Sequence, residues 1–174
     1  NLLRVNYRNH RKIVVIDGEI GYVGGINIGD EYLGLDKTKT PWRDTHLRIE
    51  GSSVATLQLR FLMDWQYLTD EKMDDRAAVK KFFSSRKFDG SSAMQIVSSG
   101  PDSPAQQIKY GFIKMMTGAK KSLFIQTPYL IPDDTVLDAL KIAVNSGVDV
   151  RVMIPGIPDK KFVYYATLSY VEEL

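Results

Sequence analysis

The chain has 174 residues, of which 44% are hydrophobic and 25% charged, and 23 Lys+Arg against 21 Asp+Glu give a formal net charge of +2. This composition predicts a globular protein with a substantial core, built as one ordinary domain or two small halves. The near-neutral charge does not favour nucleic acid as a partner. The absence of cysteine excludes disulfides and thiolate metal sites, and two histidines are too few for a zinc cluster.

No stretch approaches the roughly 18 consecutive apolar residues of a membrane span, and no secretory signal is recognisable. The sequence opens with Asn-Leu-Leu in what looks like the middle of a structural element. We therefore interpret it as a fragment, soluble by itself, whose lack of an anchor says little about a longer protein.

The stretch from Asn9 to Asn27 concentrates the unusual chemistry. Its aliphatic run Ile13 to Ile16 stands directly before Asp17-Gly18, which predicts a buried strand from Arg4 to Ile16 that enters a tight hairpin. The second strand is predicted at Ile20 to Val23. The side chain of Asp17 is expected to fix this hairpin or hold a neighbouring donor and not to contact a substrate.

His10 and Lys12 are two residues apart in the predicted strand, so their side chains are expected on one face, about 7 Å apart along the chain. Imidazole is neutral and nucleophilic near pH 7, and an ammonium can neutralise a non-bridging phosphate oxygen without a metal. Gly24 and Gly25 would let the backbone approach a ligand closely. Asn27 can donate an amide N–H to a second phosphate oxygen. The pattern indicates a phosphate-ester site with no metal cofactor.

This pattern resembles the HxKxxxxD signature of the phospholipase D superfamily, followed by Gly-Gly-x-Asn. The resemblance implies an α/β, phospholipase D-like fold with a mixed sheet flanked by helices. It also implies catalytic roles for His10, Lys12 and Asp17, a phosphate clamp of Lys12 and Asn27, and a supporting role for Gly24 and Gly25.

The next residues are predicted to form the rim of the site. Asp30 to Pro41 is polar and reads as a loop in which Tyr32 and Leu33 are anchoring residues. The segment from Asp44 to Glu50 alternates, which predicts a half-exposed strand. His46 has no motif context and is expected to be hydrogen-bonded or solvent-facing.

The sequence WRDTH, from Trp42 to His46, resembles that of bacterial cardiolipin synthases. In the superfamily a carboxylate at this place orients a catalytic imidazole, so the resemblance makes Asp44 the candidate that fixes the histidine tautomer. The alternative is a surface aspartate paired with Arg43.

Residues 52–68 predict an amphipathic helix, capped by a serine, with one apolar stripe that packs on the sheet: Val54, Leu57, Phe61, Trp65 and Leu68. Residues 71–92 are charged and poor in aliphatics, which predicts a linker with a turn of helix around Ala77 to Phe83. Its mixture of cations and phenylalanines is interpreted as a solvated face, with a membrane surface as the alternative.

From Ala93 onward strands and helices alternate, which predicts a parallel sheet with right-handed crossovers. The predicted elements are a strand at Met94–Gly100, a helix from Ser103-Pro104, a strand at Ser122–Gln126, a helix from Pro132 to Gly147, a strand at Val148–Ile154 and a helix from Asp159. Ligands bind such sheets beyond the carboxyl ends of the strands, where Tyr129 and Pro155 stand. The strings IQTPYLIPDD and SGVDVRVMIPG resemble the second half of bacterial cardiolipin synthases.

The resemblance therefore covers nearly the whole chain. It implies that residues 1–70 are the C-terminal part of a first phospholipase D-like domain, 71–92 a linker, and 93–174 the N-terminal part of a second. A second signature histidine is expected beyond Leu174. The longer protein is expected at the bacterial cell membrane, held by segments outside this chain.

By resemblance, the activity is the condensation of two phosphatidylglycerol molecules to cardiolipin and glycerol through a phosphohistidine. His10 would be the nucleophile or the opposing acid, and the isolated fragment is expected to be inactive or nearly so. A homodimer that opposes two His10 side chains is an alternative assembly. A hydrolytic phospholipase D, a nuclease, or an inert structural module are the competing hypotheses.

Overall fold

The computed structural model describes residues 9–37, 42–71, 73, 75–101, 103–158 and 160–174. The chain forms two compact units that divide between Ile96 and Val97. One contains an antiparallel sheet and the other a parallel sheet. This combination of helices with both kinds of strand pairing confirms the predicted α/β class.

The first unit is built on three antiparallel strands in the order β1-β2-β3: β1 (Ile13–Ile16), β2 (Ile20–Gly24) and β3 (His46–Glu50). Ile13 pairs with Val23, and Val23 pairs with Leu47. The hairpin between β1 and β2 is the one that the aliphatic run and the Asp-Gly pair predict.

Helix α1 (Ser53–Leu68) packs on this sheet. Val54 and Leu57 are almost fully buried against Ile49 of β3. The predicted apolar stripe is confirmed only in the N-terminal half of the helix, because Trp65 is 42% and Leu68 75% exposed in the C-terminal half. The predicted serine cap is wrong, since the Ser52 backbone is helical and its side chain makes no capping bond.

The segment that we interpreted as a linker contacts the first unit. It contains the short helix α2 (Arg76–Lys80), which Asp75 caps by accepting a bond from Ala77 N. Further along, Ser84 Oγ donates to Glu19 Oε1 at 2.8 Å, and Arg86 donates to the other oxygen of the same carboxylate at 3.1 Å. The described part of the segment is therefore more than a spacer, although the proposed domain boundaries stay a prediction.

The strand predicted at Met94 to Gly100 is wrong. These residues join no ladder among the described strands. Ser53 Oγ donates to Met94 O at 3.5 Å, and Ile96 packs on the core of the first unit. Side-chain burial against α1 and β3 therefore takes the place of backbone pairing here.

The second unit follows the predicted order closely. It contains α3 (Gln107–Gly118), β4 (Ser122–Gln126), α4 (Asp134–Asn145), β5 (Asp149–Met153) and α5 (Lys161–Val171). β4 and β5 are parallel, with α4 as the crossover, and Leu140 lies at the centre of the core. Asp133 caps α4 by accepting from Val136 N, and Gly147 ends it with a positive φ of 83°.

Tyr129 and Pro155 follow the carboxyl ends of the parallel strands, as predicted. Leu130, which follows β4, donates its backbone N–H to Thr167 Oγ1 of α5 at 3.2 Å, and Thr167 is almost fully buried. None of the helices in the described part of the chain is both long and apolar enough to cross a membrane.

Candidate functional site

The candidate residues collect at one end of the three-stranded sheet. Because the strands are antiparallel, the start of β1, the end of β2 and the start of β3 lie at the same end. Ile13 opposite Val23 and Gly24 opposite His46 fix this register. We call this the open end, formed by residues 9–12, 24–27 and 42–46. The structure thus brings together the segments that carry six predicted site residues: His10, Lys12, Gly24, Gly25, Asn27 and Asp44.

Asp17 lies at the opposite end, which we call the turn end (residues 16–19). Asp17 and Gly18 both have positive φ, 55° and 68°, and Glu19 N donates to Ile16 O at 3.0 Å. This is the tight turn that Asp-Gly predicts. Asp17 lies five positions after Lys12 along largely extended chain, a distance of roughly 17 Å. The structure therefore keeps Asp17 apart from the other candidates, and a hairpin-fixing role remains the prediction for it.

The predicted strand through His10 and Lys12 is wrong, because β1 begins only at Ile13. Side-chain bonds to the backbone replace the ladder there: Asn9 Oδ1 accepts from Arg11 N at 2.9 Å, and Lys12 Nζ donates to His10 O at 2.6 Å. His10 is exposed and Lys12 is half-buried. The part of the predicted strand before Asn9 lies outside the described residues.

The two glycines at the end of β2 are explained by the close approach of residues 44–46. A Cβ on Gly24 would lie 2.5 Å from His46 Cα and closer still to Thr45 O. A Cβ on Gly25 would lie 2.5 Å from Asp44 Cγ. Gly25 N also donates to Thr45 O at 3.0 Å. Any side chain at either position would push β3 away from the open end.

Asp44 lies against Gly25 at the surface. Its Oδ1 accepts a bond from Thr45 N at 2.6 Å, and no ion pair joins it to Arg43 within the described residues. This local bond orients the carboxylate next to the glycine backbone. The proposed orientation of an imidazole by Asp44 stays a prediction.

Asn27 is held by Tyr32, a contact that the sequence did not suggest. Asn27 Nδ2 donates to Tyr32 Oη at 2.5 Å, and the Tyr32 ring lies 6.3 Å from that of Trp42. Tyr32 belongs to a short 3₁₀ helix, Asp30–Leu33, in the segment predicted as the rim. Tyr32 thus anchors Asn27. The bond to Tyr32 uses one N–H of the Asn27 amide and leaves the second N–H for another acceptor.

His46 was expected to be hydrogen-bonded or solvent-facing, and neither expectation is met within the described residues. Its residue is half-buried, and Nδ1 is buried without a hydrogen-bond partner among the described residues. The absence of a side chain on Gly24 lets this nitrogen pack against the end of β2. Close backbone packing, which the alternating pattern does not reveal, decides the environment of this histidine.

A cavity of about 630 Å³ lies along β1 in the first unit. Of the predicted site residues only Asp17 lines it, so it is distinct from the open end. The described residues contain no cluster of three or more His, Cys, Asp or Glu side chains arranged to hold a metal ion. The open end itself offers an imidazole, an ammonium and an amide, which suit an anionic phosphodiester.

Comparison with known proteins supports the resemblance drawn from the motifs. Residues 112–174 match the family described as cardiolipin synthase, PLD-like domain. A cardiolipin synthase of Listeria monocytogenes is 56% identical over 98% of this chain and 35% of its own length. The major cardiolipin synthase ClsA of Bacillus subtilis is 54% identical over 99% of the chain and 35% of its own length.

The cardiolipin synthase of Staphylococcus aureus is likewise 54% identical, over 99% of the chain and 34% of its own length. No solved structure matches the chain significantly. The chain spans about a third of the length of these curated relatives. The resemblance to bacterial cardiolipin synthases is thereby confirmed along almost the entire sequence.

Proposed function

We propose that this chain, similar to cardiolipin synthases along almost all of its length, supplies one histidine half-site of a phosphatidyltransferase. The enzyme would join two phosphatidylglycerol molecules into cardiolipin and glycerol. The observation that carries the proposal is the convergence at the open end of His10-x-Lys12 with Gly24-Gly25 and Asn27. The identity of 54% to 56% with curated cardiolipin synthases supports phosphatidylglycerol as the proposed substrate.

The open end can hold a phosphodiester through two side chains, those of Lys12 and Asn27. The Lys12 ammonium has three N–H groups, and its bond to His10 O uses one of them. The Asn27 amide has a second N–H beyond the one bonded to Tyr32. Gly24 and Gly25 support these contacts indirectly, because their lack of a side chain makes room for residues 44–46 at the open end. Lys12 thus supplies the positive charge that stabilises the phosphoryl oxygens as charge develops.

The reaction would proceed in two displacements. A histidine nitrogen attacks phosphorus, a P–N bond forms, and the P–O bond to glycerol breaks while an opposing histidine protonates the leaving oxygen. The primary hydroxyl of a second phosphatidylglycerol then attacks phosphorus and gives its proton to the opposing histidine. The P–N bond breaks and cardiolipin leaves. The covalent intermediate divides one difficult step into two easier ones, and each positioned acid or base contributes about 10²- to 10⁴-fold.

One exposed histidine cannot perform both roles in a single turnover. Of the two histidines in the chain, His46 is half-buried with an enclosed Nδ1, which leaves His10 as the reactive candidate. We propose that the opposing histidine comes from a part of the longer protein outside this chain. A second copy of the chain is the alternative source. Because its proposed substrates are lipids, the working enzyme would act at a membrane surface.

The proposal is tested by product analysis with the full-length protein. Radiolabelled phosphatidylglycerol is expected to yield cardiolipin and glycerol in equal amounts. The products formed with glycerol or phosphatidylglycerol present as the acceptor are identified by mass spectrometry. Accumulation of phosphatidic acid would favour a hydrolytic phospholipase D instead. Cleavage of nucleic acid in preference to lipid would favour a nuclease.

The half-site assignment has its own test. The purified 174-residue chain is expected to show no turnover of phosphatidylglycerol. Turnover near that of the full-length protein would contradict the need for a second histidine outside the chain. Activity that rises with the square of chain concentration would point to two copies with opposed His10 side chains.

A further inference from the structure

Asp64, at the start of the fourth turn of α1, binds both residues that flank His10. Asn9 Nδ2 donates to Asp64 Oδ2 at 3.1 Å. Arg11 Nη1 donates to the two oxygens of the same carboxylate at 3.2 and 3.3 Å. The backbone at His10 is therefore attached to the helix on both sides through one acidic group.

A further bond closes this arrangement. Asn9 Oδ1 accepts from Arg11 N at 2.9 Å while its Nδ2 is bonded to Asp64. The Asn9 amide thus links the Arg11 backbone to the helix. The Arg11 guanidinium forms a second link, directly to Asp64. Residues 9–12 precede β1 and lie outside its ladder, so these bonds substitute for the backbone pairing that holds the strands.

Arg60 keeps the carboxylate in place from within the helix. It lies one turn before Asp64 and forms an ion pair with Oδ1, the oxygen that Arg11 also contacts. Only 19% of the Asp64 side chain is exposed, and the two arginine side chains are 25% and 22% exposed. Partial burial shields these bonds from solvent and makes them stronger than a typical surface pair.

The electrostatics agree with an ionised carboxylate. Partial burial raises the pKa of Asp64, but the bonds from Arg60, Arg11 and Asn9 outweigh it and hold the pKa below its ordinary value. Without this negative charge, two guanidinium groups would face each other across a half-buried space. The Asn9 amide would also be left with a neutral, weaker acceptor on α1.

We infer that Asp64 is a positioning residue for the reaction, which holds the backbone of His10 and Lys12 so that the imidazole meets the phosphate in a reactive geometry. This inference rests on the proposed function. Asp64 acts through Asn9 and Arg11 and does not itself contact the substrate. A misplacement of about 1 Å at a reacting group can cost about 100-fold in rate, so such anchoring has a measurable effect.

The test is Asp64→Asn in the full-length protein, assayed with phosphatidylglycerol in mixed micelles. The asparagine keeps the shape of the side chain, removes its charge and leaves one acceptor oxygen. We expect kcat to fall about 10- to 100-fold, because the placement of His10 matters most in the reacting complex. The KM is expected to change less than about threefold.

Glu19→Gln is the matched control. Glu19 is also a carboxylate of the first unit with two side-chain partners, Ser84 and Arg86, but it lies at the turn end of the sheet. It should lose a comparable amount of stability and keep kcat within about twofold, as expected for a site remote from the chemistry. Equal losses of kcat in the two variants would overturn the inference.

A second variant keeps the inference testable if Asp64→Asn does not fold. Asn9→Ala removes one of the two flanking anchors and should lower kcat about 3- to 10-fold. If both residues act through the same attachment, the double variant Asp64→Asn with Asn9→Ala should be less impaired than the product of the single effects. Strict multiplication of the two effects would contradict a shared role.

The outcome is separable from that of the proposed function. His10→Ala tests the function itself. If that variant is inactive while Asp64→Asn and Asn9→Ala keep the wild-type kcat, the positioning role fails and the proposed function stands. If His10→Ala retains full activity, the proposed function fails.

Discussion

The two ends of the three-stranded sheet are made of the same strands but are held by different means. At the turn end the chain itself connects β1 to β2, and residues 82–86 pack against the turn. At the open end no connection joins β1 to β2, and the segment before β1 is held by side chains on Asp64. Substitutions at the turn end should therefore change stability, whereas those at the open end should change activity first.

The largest expected effect is that of His10→Ala at the open end. We expect kcat/KM to fall by at least about 10³-fold, because the variant lacks either the nucleophile or its opposing acid. His10 is exposed, so the melting temperature should change little. The phosphatidylglycerol assay and a thermal unfolding curve measure both quantities. Unchanged turnover would support the hypothesis that the motif is inert. The open end and the turn end would then not differ in function.

Gly25→Ala should reduce both activity and stability. The new Cβ would lie 2.5 Å from Asp44 Cγ, so β2 and the Asp44 loop must separate. We expect a stability loss of about 1–3 kcal/mol from this overpacking. A fall of about 10- to 100-fold in kcat/KM should accompany it, because Asn27 follows the displaced glycine.

The double variant Gly25→Ala with Asp44→Ala separates the two effects. Removal of the carboxylate relieves the clash, so the melting temperature should recover while the activity stays low. Recovery of the activity together with the melting temperature would show that Asp44 has no role beyond its contact with Gly25.

At the turn end, Gly18→Ala should act on stability alone. Gly18 has a φ of 68°, and a Cβ would lie 2.6 Å from Phe82 O. We expect a loss of about 1–3 kcal/mol from backbone strain and the clash together. The kcat/KM of the folded protein should stay within about twofold. A large loss of activity at low temperature, where the variant is folded, would contradict the separation of the two ends.

Gly34→Ala provides the matched comparison for this turn. Gly34 has the same φ of 68°, but nothing lies within 4 Å of the position its Cβ would occupy. It should therefore cost only the strain of the left-handed backbone, about 1 kcal/mol. A loss equal to that of Gly18→Ala would mean that the contact with Phe82 adds nothing.

The smallest expected effect concerns the pH dependence of the turn end. Bonds from Ser84 and Arg86 hold the pKa of Glu19 below its ordinary value of 4.5. A lowered pKa in the folded state contributes stability at pH values above 4.5, and this contribution disappears as the pH falls through the lower folded value. The free energy of unfolding measured with denaturant should therefore be higher for wild type than for Glu19→Gln at pH 7, and the difference should shrink progressively as the pH falls below 4.5.

Local patterns predicted much of the fold. The strand β4, the helix α4 with its Gly147 end, and the strand β5 lie where the sequence places them. The hairpin turn at Asp17-Gly18 is equally local. These elements depend on apolar periodicity, side-chain caps and positive φ, all of which are properties of neighbouring residues.

The failures share a physical cause. The aliphatic run before Asp17-Gly18 predicts a strand that extends back through His10, but the Asn9 and Lys12 side chains bond to the backbone in place of the ladder. The strand expected at Met94 is absent among the described residues, where the half-buried Ile96 packs against the core of the first unit instead. In both cases a long-range contact or a side-chain competitor overrides the local preference.

The sequence by itself determined which residues are candidates for the chemistry, since the spacing of His10, Lys12 and the Gly-Gly-x-Asn27 string is a property of the chain. It also determined the family resemblance and most of the helices and strands. Only the tertiary structure decided that Asp17 lies far from the other candidates, that Asp44 lies against Gly25 and that Asp64 anchors both neighbours of His10. Those relations join residues distant in the chain, and strand register together with helix packing sets their separation in space.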